Sequence, residues 1–337
     1  MKGVMAWKPG AEVALGDLTE PVPGEYEALV RMDACGICNS TDQKLVQNRF
    51  CPGPFPIILG HEVVGTVVET GSKVKHFKPG DRVFRQRLPK MVEPDGIRSV
   101  WGGLAELGLI TDEWARRGVP YGPESFPGDQ QKLLIQVEPA LAAAMITLME
   151  TLDCAASNCG IKAGQTVAIV GTGPVGQAFA LFARLLGADS VHVFARTNRY
   201  ARRFEQISRC DSFTLGDDDS AEARNILAKG GFDVVIEAVG SPDALRRAVA
   251  LAGHRGAVFV YGVAGIDHPF PQDLLARPNV KRVGAKEGRA QRRLVDFIEA
   301  GKVDLNDWVS HRLPVSACQQ GLDLVMNKEA FKVVLTA

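Results

Sequence analysis

The sequence is short of everything that marks a membrane, secreted or nucleic-acid-binding protein. Its longest apolar stretches, such as 178–186, fall far below the ~18 residues a spanning helix needs, and polar residues interrupt them. The first ten residues hold no apolar core and no small-residue cleavage site, so no secretory leader is expected. Charge of one sign is missing: 39 Lys plus Arg balance 39 Asp plus Glu, which gives no pull toward nucleic acid or an anionic membrane. Cysteine is sparse and odd in number, seven along 337 residues, which excludes a disulfide framework. No fixed-period repeat and no low-complexity tract occurs. A cytoplasmic protein is expected, in whose reducing surroundings clustered cysteines point to metal or redox chemistry.

What is present suggests two domains, at roughly 100–200 residues each. Hydrophobic residues at 46% and charged residues at 23% allow each an ordinary core. Up to about residue 110, short β-type runs (27–32, 62–69, 81–84) alternate with turn pairs such as Pro23-Gly24 and Pro79-Gly80. From about 145 the pattern changes. Apolar runs at 166–171, 190–195, 212–215, 232–238, 257–262 and 280–284 alternate with helical periodicity, including 177–186 and 198–208. Six such strands fit an α/β, doubly wound parallel sheet. A helical stretch at 289–300 and a strand at 332–336 follow, so the α/β unit reads as an insertion in the β unit. The expected bounds are 1–143, 144–284 and a return to the first domain at 285–337.

Gly171-Thr172-Gly173-Pro174-Val175-Gly176 is a GxGxxG segment placed between an apolar strand and a helix, the context that gives the pattern its meaning. Gly171 permits the tight turn, Gly173 lets backbone approach a pyrophosphate, and Gly176 lets helix and strand close. The exposed amides of the helix start, with Pro174 and Val175, favour the anion. About 20 residues on, NAD enzymes keep an acid for the ribose hydroxyl. Here the position falls on Ala195, followed by Arg196, Thr197 and Arg199, with Arg202 and Arg203 a turn later. Arginines without a carboxylate favour a 2′-phosphate, hence NADP(H) over NAD(H). The competing reading is an ordinary solvated helix face.

Three pieces of the β unit draw attention: Cys35-Gly-Ile-Cys38-Asn39-Ser40-Thr41-Asp42, Gly60-His61-Glu62, and Val137-Glu138-Pro139. A CxxC serves redox pairs and zinc sites alike, and a lone His or Glu is usually structural. Together they supply the donor types of a zinc site with an open position.

These pieces, with the passage from Gly60 to Val83 and the closing Lys332-Val-Val-Leu335, resemble the zinc-containing medium-chain dehydrogenase family of alcohol, sorbitol and threonine dehydrogenases, over essentially the whole chain. The resemblance implies a GroES-like β domain plus a Rossmann domain, with zinc and dinucleotide meeting in the cleft between them. It implies Cys38, not Cys35, as thiolate ligand, His61 as imidazole ligand, and Glu138 in the third protein-ligand position. Glu62 lies beside the metal, ligating it or exchanging with water. Ser40 takes the substrate's proton. The reaction implied is hydride transfer between an alcohol or polyol, or the matching carbonyl, and the nicotinamide. Glu138 leans toward polyols, sugars or amino-alcohols. A homodimer or homotetramer is expected, paired through the strand at 280–284.

Three departures qualify the match. Residues 84–103 contain no cysteine, so the four-cysteine structural zinc is not expected and the count is one Zn2+ per chain. Thr41 stands where the family has the Asp that orients the zinc histidine; either Asp42 substitutes or the metal binds less tightly. Gln43 replaces the His that ends the proton relay in some members. The segment 111–131 either lines the substrate cleft or covers the missing lobe. Cys51, Cys154, Cys159, Cys210 and Cys318, and His76, His192, His254, His268 and His311, read as structural or surface groups. The rival readings are a zinc-free quinone or enone reductase on the same fold and a non-catalytic dinucleotide-binding protein.

Overall fold

The computed structural model describes residues 1–92, 95–216 and 220–337. The chain forms two compact units, Met1–Met149 with Lys286–Ala337, and Glu150–Ala285.

In the first unit, the β-branched and apolar run Glu27–Gly36 forms a long central strand. It pairs antiparallel with Glu62–Thr70, with Leu107–Thr111 and with the last strand, Val333–Thr336. His311–Pro314 lies beyond Val333–Thr336 and Arg82–Phe84 beyond Glu62–Thr70. The second sheet runs in the order Val13–Asp17, Lys2–Ala6, Ile57–Ile58, Ile97–Ser99, Met91–Val92. These strands send Met32, Cys35, Val63, Val333 and Leu335 into one core, with Met32 and Cys35 on the same side because of the register shift between Met32 and Ala34. That core fixes both strand ends from which the candidate metal residues project.

The second unit is a six-stranded, all-parallel sheet in the order Ser212–Leu215, Ser190–Ala195, Thr166–Val170, Val234–Glu237, Ala257–Val260, Val280–Arg282. Numbered along the chain this is 3-2-1-4-5-6, the order of dinucleotide-binding Rossmann sheets, as the six expected strands required. The helix expected at 198–208 is instead a short α-turn, Ala201–Arg203, passing into a π-helical turn, Phe204–Ser208.

The helix Pro139–Asp153 continues through the π-turn Cys154–Asn158. By length and composition this stretch could cross a membrane, although Thr147, Glu150, Thr151 and Asp153 interrupt its apolar run. Its apolar window is 78% buried inside the protein, which makes it a core helix.

Candidate metal and dinucleotide sites

Cys38 leaves the end of the central strand at a turn, and His61 and Glu62 open the strand paired to it. The ligand atoms of Cys38, His61 and Glu62 all lie within 4.8 Å of one another. Gly36 makes this approach possible, since a Cβ there would sit 2.4 Å from Glu62 Oε2. His61 and Glu62 are buried and Cys38 is half-buried. Asp42, 2% exposed, accepts the Cys38 backbone N–H at 2.8 Å through Oδ2, and its Oδ1 stands 3.5 Å from His61 Nδ1. The carboxylate beside His61 is therefore that of Asp42, at ion-pair distance rather than in a hydrogen bond.

Lys332, unremarked in the sequence except as part of a strand, is 3% exposed and ion-paired with Glu62 Oε2. Thr147 Oγ1 donates to the other carboxylate oxygen at 3.3 Å. Nothing local distinguishes Lys332 from a solvated lysine; only strand pairing brings it inward. Burial opposes charge on every member of this group, and neighbouring charge outweighs it. The Cys38 thiol is lowered by His61, the Glu62 carboxyl by Lys332 and His61, and the His61 imidazole is raised by Asp42 and Cys38.

A thiolate sulfur, an imidazole nitrogen and a carboxylate oxygen, drawn together in a buried spot with a carboxylate behind the histidine, are the donor set and support of a zinc site. A divalent ion also answers the anionic character that Cys38 and Glu62 hold here.

Glu138 does not join the other three among the described residues. It precedes the helix Pro139–Asp153, is exposed, and pairs with Arg312 at 3.2 Å, a cation on the outer strand that offers it a partner in water. Cys35 is fully buried in the central strand, and its Sγ donates to Gly36 O at 3.6 Å. Ser40 is half-buried, and its Oγ accepts from Lys44 Nζ at 2.6 Å. The segment 111–131 packs Trp114, Tyr121 and Phe126 onto the strand core through Phe77. It borders a cavity of about 420 Å3 with Arg87, Leu109 and Asp129, which none of the three clustered donors lines.

In the second unit, Gly171 has φ +121°, a conformation that L side chains avoid, and Gly176 sits so close that a Cβ would meet Gly171 O at 2.1 Å. Gly173 differs: a Cβ there would enter open space, in front of the first turn of Pro174–Leu185. That space is the cradle a pyrophosphate needs, and the helix start carries no acid to oppose it. Strand Ser190–Ala195 ends on buried Ala195, and Arg196, Thr197 and Arg199 follow it, all exposed. Arg203 is tied back to the helix, its Nε donating to Gln177 Oε1 at 3.1 Å.

Residues 24–117 match the model of the alcohol dehydrogenase GroES-like domain, and residues 174–300 that of zinc-binding dehydrogenases. D-arabinitol dehydrogenase 1 of Uromyces fabae is 27% identical over 94% of this chain and 91% of its own. L-threonine 3-dehydrogenase of Bacillus licheniformis is 26% identical over 97% and 96%. Among solved structures, a protein described as a zinc-binding dehydrogenase from Sinorhizobium meliloti 1021, bound to NADP, superposes with a TM-score of 0.74 at 26% identity, covering 100% of this chain and 99% of that one. With its GroES-like and Rossmann units, the chain therefore belongs to the zinc-containing medium-chain dehydrogenases, enzymes that oxidise or form alcohols with NAD(P).

Proposed function

We propose that this enzyme binds one zinc ion through Cys38, His61 and Glu62 and transfers a hydride between an alcohol or polyol, or the matching carbonyl, and NADP(H). The observation that carries the reading is the approach of three different donor atoms to within 4.8 Å in a buried place. Bound there, zinc supplies Lewis-acid polarisation of the substrate oxygen, and the nicotinamide takes or returns the hydride.

The chain's own residues do the rest. Asp42 stands beside His61 as the carboxylate that would orient its ring for a bound metal. Lys332 and Thr147 hold the Glu62 carboxylate, which ligates the metal or exchanges with water. The Ser40 hydroxyl passes the substrate's proton, with Lys44 Nζ as its charged neighbour. Gly171, Gly173, Pro174, Val175 and Gly176 cradle the pyrophosphate. Arg196, Thr197 and Arg199 receive the 2′-phosphate, because no acid repels it. Glu138 would become a further ligand only by releasing Arg312, an exposed pairing worth at most about 1 kcal/mol. Seven free cysteines support a reducing, cytoplasmic setting. The strand Val280–Arg282 ends its sheet and is the edge through which a homodimer or homotetramer would form.

Oxidation of a panel of polyols and simple alcohols by the zinc-loaded enzyme, with NADP+ and NAD+ in parallel, tests the reading. Turnover with NADP+ preferred supports it. Turnover of quinones or enones by metal-free protein would instead support the zinc-free reductase, against which the clustered donors argue.

A further inference from the structure

Arg85 has no assigned role, yet it is the most constrained residue behind the candidate metal ligands. It follows the strand Arg82–Phe84 and is 5% exposed. Its backbone φ is +65°, a left-handed conformation that a long side chain adopts at a cost unless its surroundings enforce it. Both backbone polar groups and two of the three guanidinium nitrogens are engaged. The backbone N–H donates to Val63 O at 2.9 Å, and the backbone carbonyl accepts from Gln130 Nε2 at 2.9 Å. From the guanidinium, Nη1 donates to the main-chain carbonyl of His61 at 2.5 Å, and Nη2 pairs with Glu287 Oε1 at 2.9 Å. Glu287 is 8% exposed and lies in the 3-10 turn Glu287–Arg289, at the start of the chain's return to the first unit.

A strained backbone and a buried ion pair are weak evidence for stability, because a well-packed apolar pair would serve as well. They are better evidence for a position that must be held. The carbonyl they hold belongs to His61, and the next residue is Glu62, so a shift of this peptide moves two of the three donors together. Lysine could not replace the arginine: its single ammonium has no planar fork to bridge a carbonyl and a carboxylate in different directions.

We infer that Arg85, locked by Glu287, is a positioning residue that sets the His61–Glu62 peptide and thereby the affinity and geometry of the metal site. This rests on the reading of Cys38, His61 and Glu62 as ligands.

The test is zinc affinity by chelator competition, with the ligand-field and thiolate charge-transfer spectrum of the cobalt-substituted protein, on wild type, R85K, E287Q and the double variant R85M/E287L. The double variant removes the pair without stranding a buried charge. D112N serves as a control for general destabilisation away from the donors. R85K and R85M/E287L should stay folded by thermal melt, lose about 10–100-fold in zinc affinity and show an altered cobalt spectrum, with E287Q between them and wild type. D112N should melt earlier with affinity and spectrum unchanged. Folded R85M/E287L with wild-type affinity and spectrum would overturn the inference. So would its failure to fold, which would make the pair structural. A wild type that binds neither zinc nor cobalt would instead remove the underlying metal-site reading.

Discussion

At the scale of single residues, chemistry here depends on which side chains burial brings together. Cys38, His61 and Glu62 were visible in the sequence because short motifs carry them. Lys332, Thr147 and Arg85 were not, because the groups they touch lie 270, 85 and 24 residues away in sequence, brought near by strand pairing for Lys332 and Arg85 and by the packing of helix Pro139–Asp153 for Thr147. Glu138 shows the reverse: a motif position whose side chain faces Arg312. If it is a ligand, E138Q should lower zinc affinity about 10-fold or more, whereas R312A should leave it unchanged or raise it. Equal affinity in E138Q and wild type, by chelator competition, would remove Glu138 from the ligand set.

Asp112 gives a residue-scale prediction about stability. It is fully buried and accepts from the backbone N–H groups of Lys75, His76 and Ala115 and from the His76 ring. Burial pushes its carboxyl up, but these donors outweigh it and hold it below the ordinary carboxylate value. A group whose pKa is lowered by folding stabilises the fold above its unfolded pKa and loses that contribution as pH falls through the folded one. D112N should therefore cost about 2 kcal/mol at pH 7 by urea unfolding, and the gap to wild type should narrow progressively below about pH 4. A gap that persists undiminished at pH 2 would show that the charge is not what the site uses.

At the scale of elements, periodicity and turn residues carried most of the information. The six strands of the parallel sheet and the strand–GxGxxG–helix unit were legible, because the inner strands are buried on both faces and read as apolar runs, while the edge strands Ser212–Leu215 and Val280–Arg282, only partly buried, show by their spacing. The stretch 198–208 is helical from Ala201 to Ser208, as its apolar spacing predicts, but it widens after one α-turn into a π-turn ending on Arg209 at φ +50°. The core helix from Pro139 does not stand out as a continuous apolar run, because Thr147, Glu150 and Thr151 interrupt it. The glycine loop makes a contrast that can be measured. G173A adds a methyl to open space, so its melting temperature should match wild type while cofactor affinity falls about 10-fold or more. G176A drives a methyl into the Gly171 carbonyl and should cost about 1–3 kcal/mol of stability as well. Equal stability losses in the two would contradict the distinct roles given to these glycines.

At the scale of the whole molecule, one unit supplies donors for a metal and the other a dinucleotide fold, and the balance of charge leaves recognition to local groups. Cofactor choice belongs at this level, since it decides which cellular pool the enzyme draws on. Exposed Arg196 and Arg199 after an uncharged strand end favour the phosphorylated cofactor. R196A/R199A should weaken NADP+ about 10-fold or more and leave NAD+ within a factor of about 3. An unchanged NADP+ to NAD+ ratio, from calorimetric titration of both, would return these arginines to an ordinary solvated surface. The absent cysteines in 84–103 bear on the same scale, because the proposed site alone gives an expected count of one zinc per chain rather than two.

The metal count is also the most direct test of the central claim. Zinc per chain should be determined by elemental analysis on wild type and C38S purified side by side, with circular dichroism to show that both are folded. The account predicts about one zinc in wild type and none retained in C38S. A folded wild type without zinc, or a C38S protein that keeps its full complement, would contradict it.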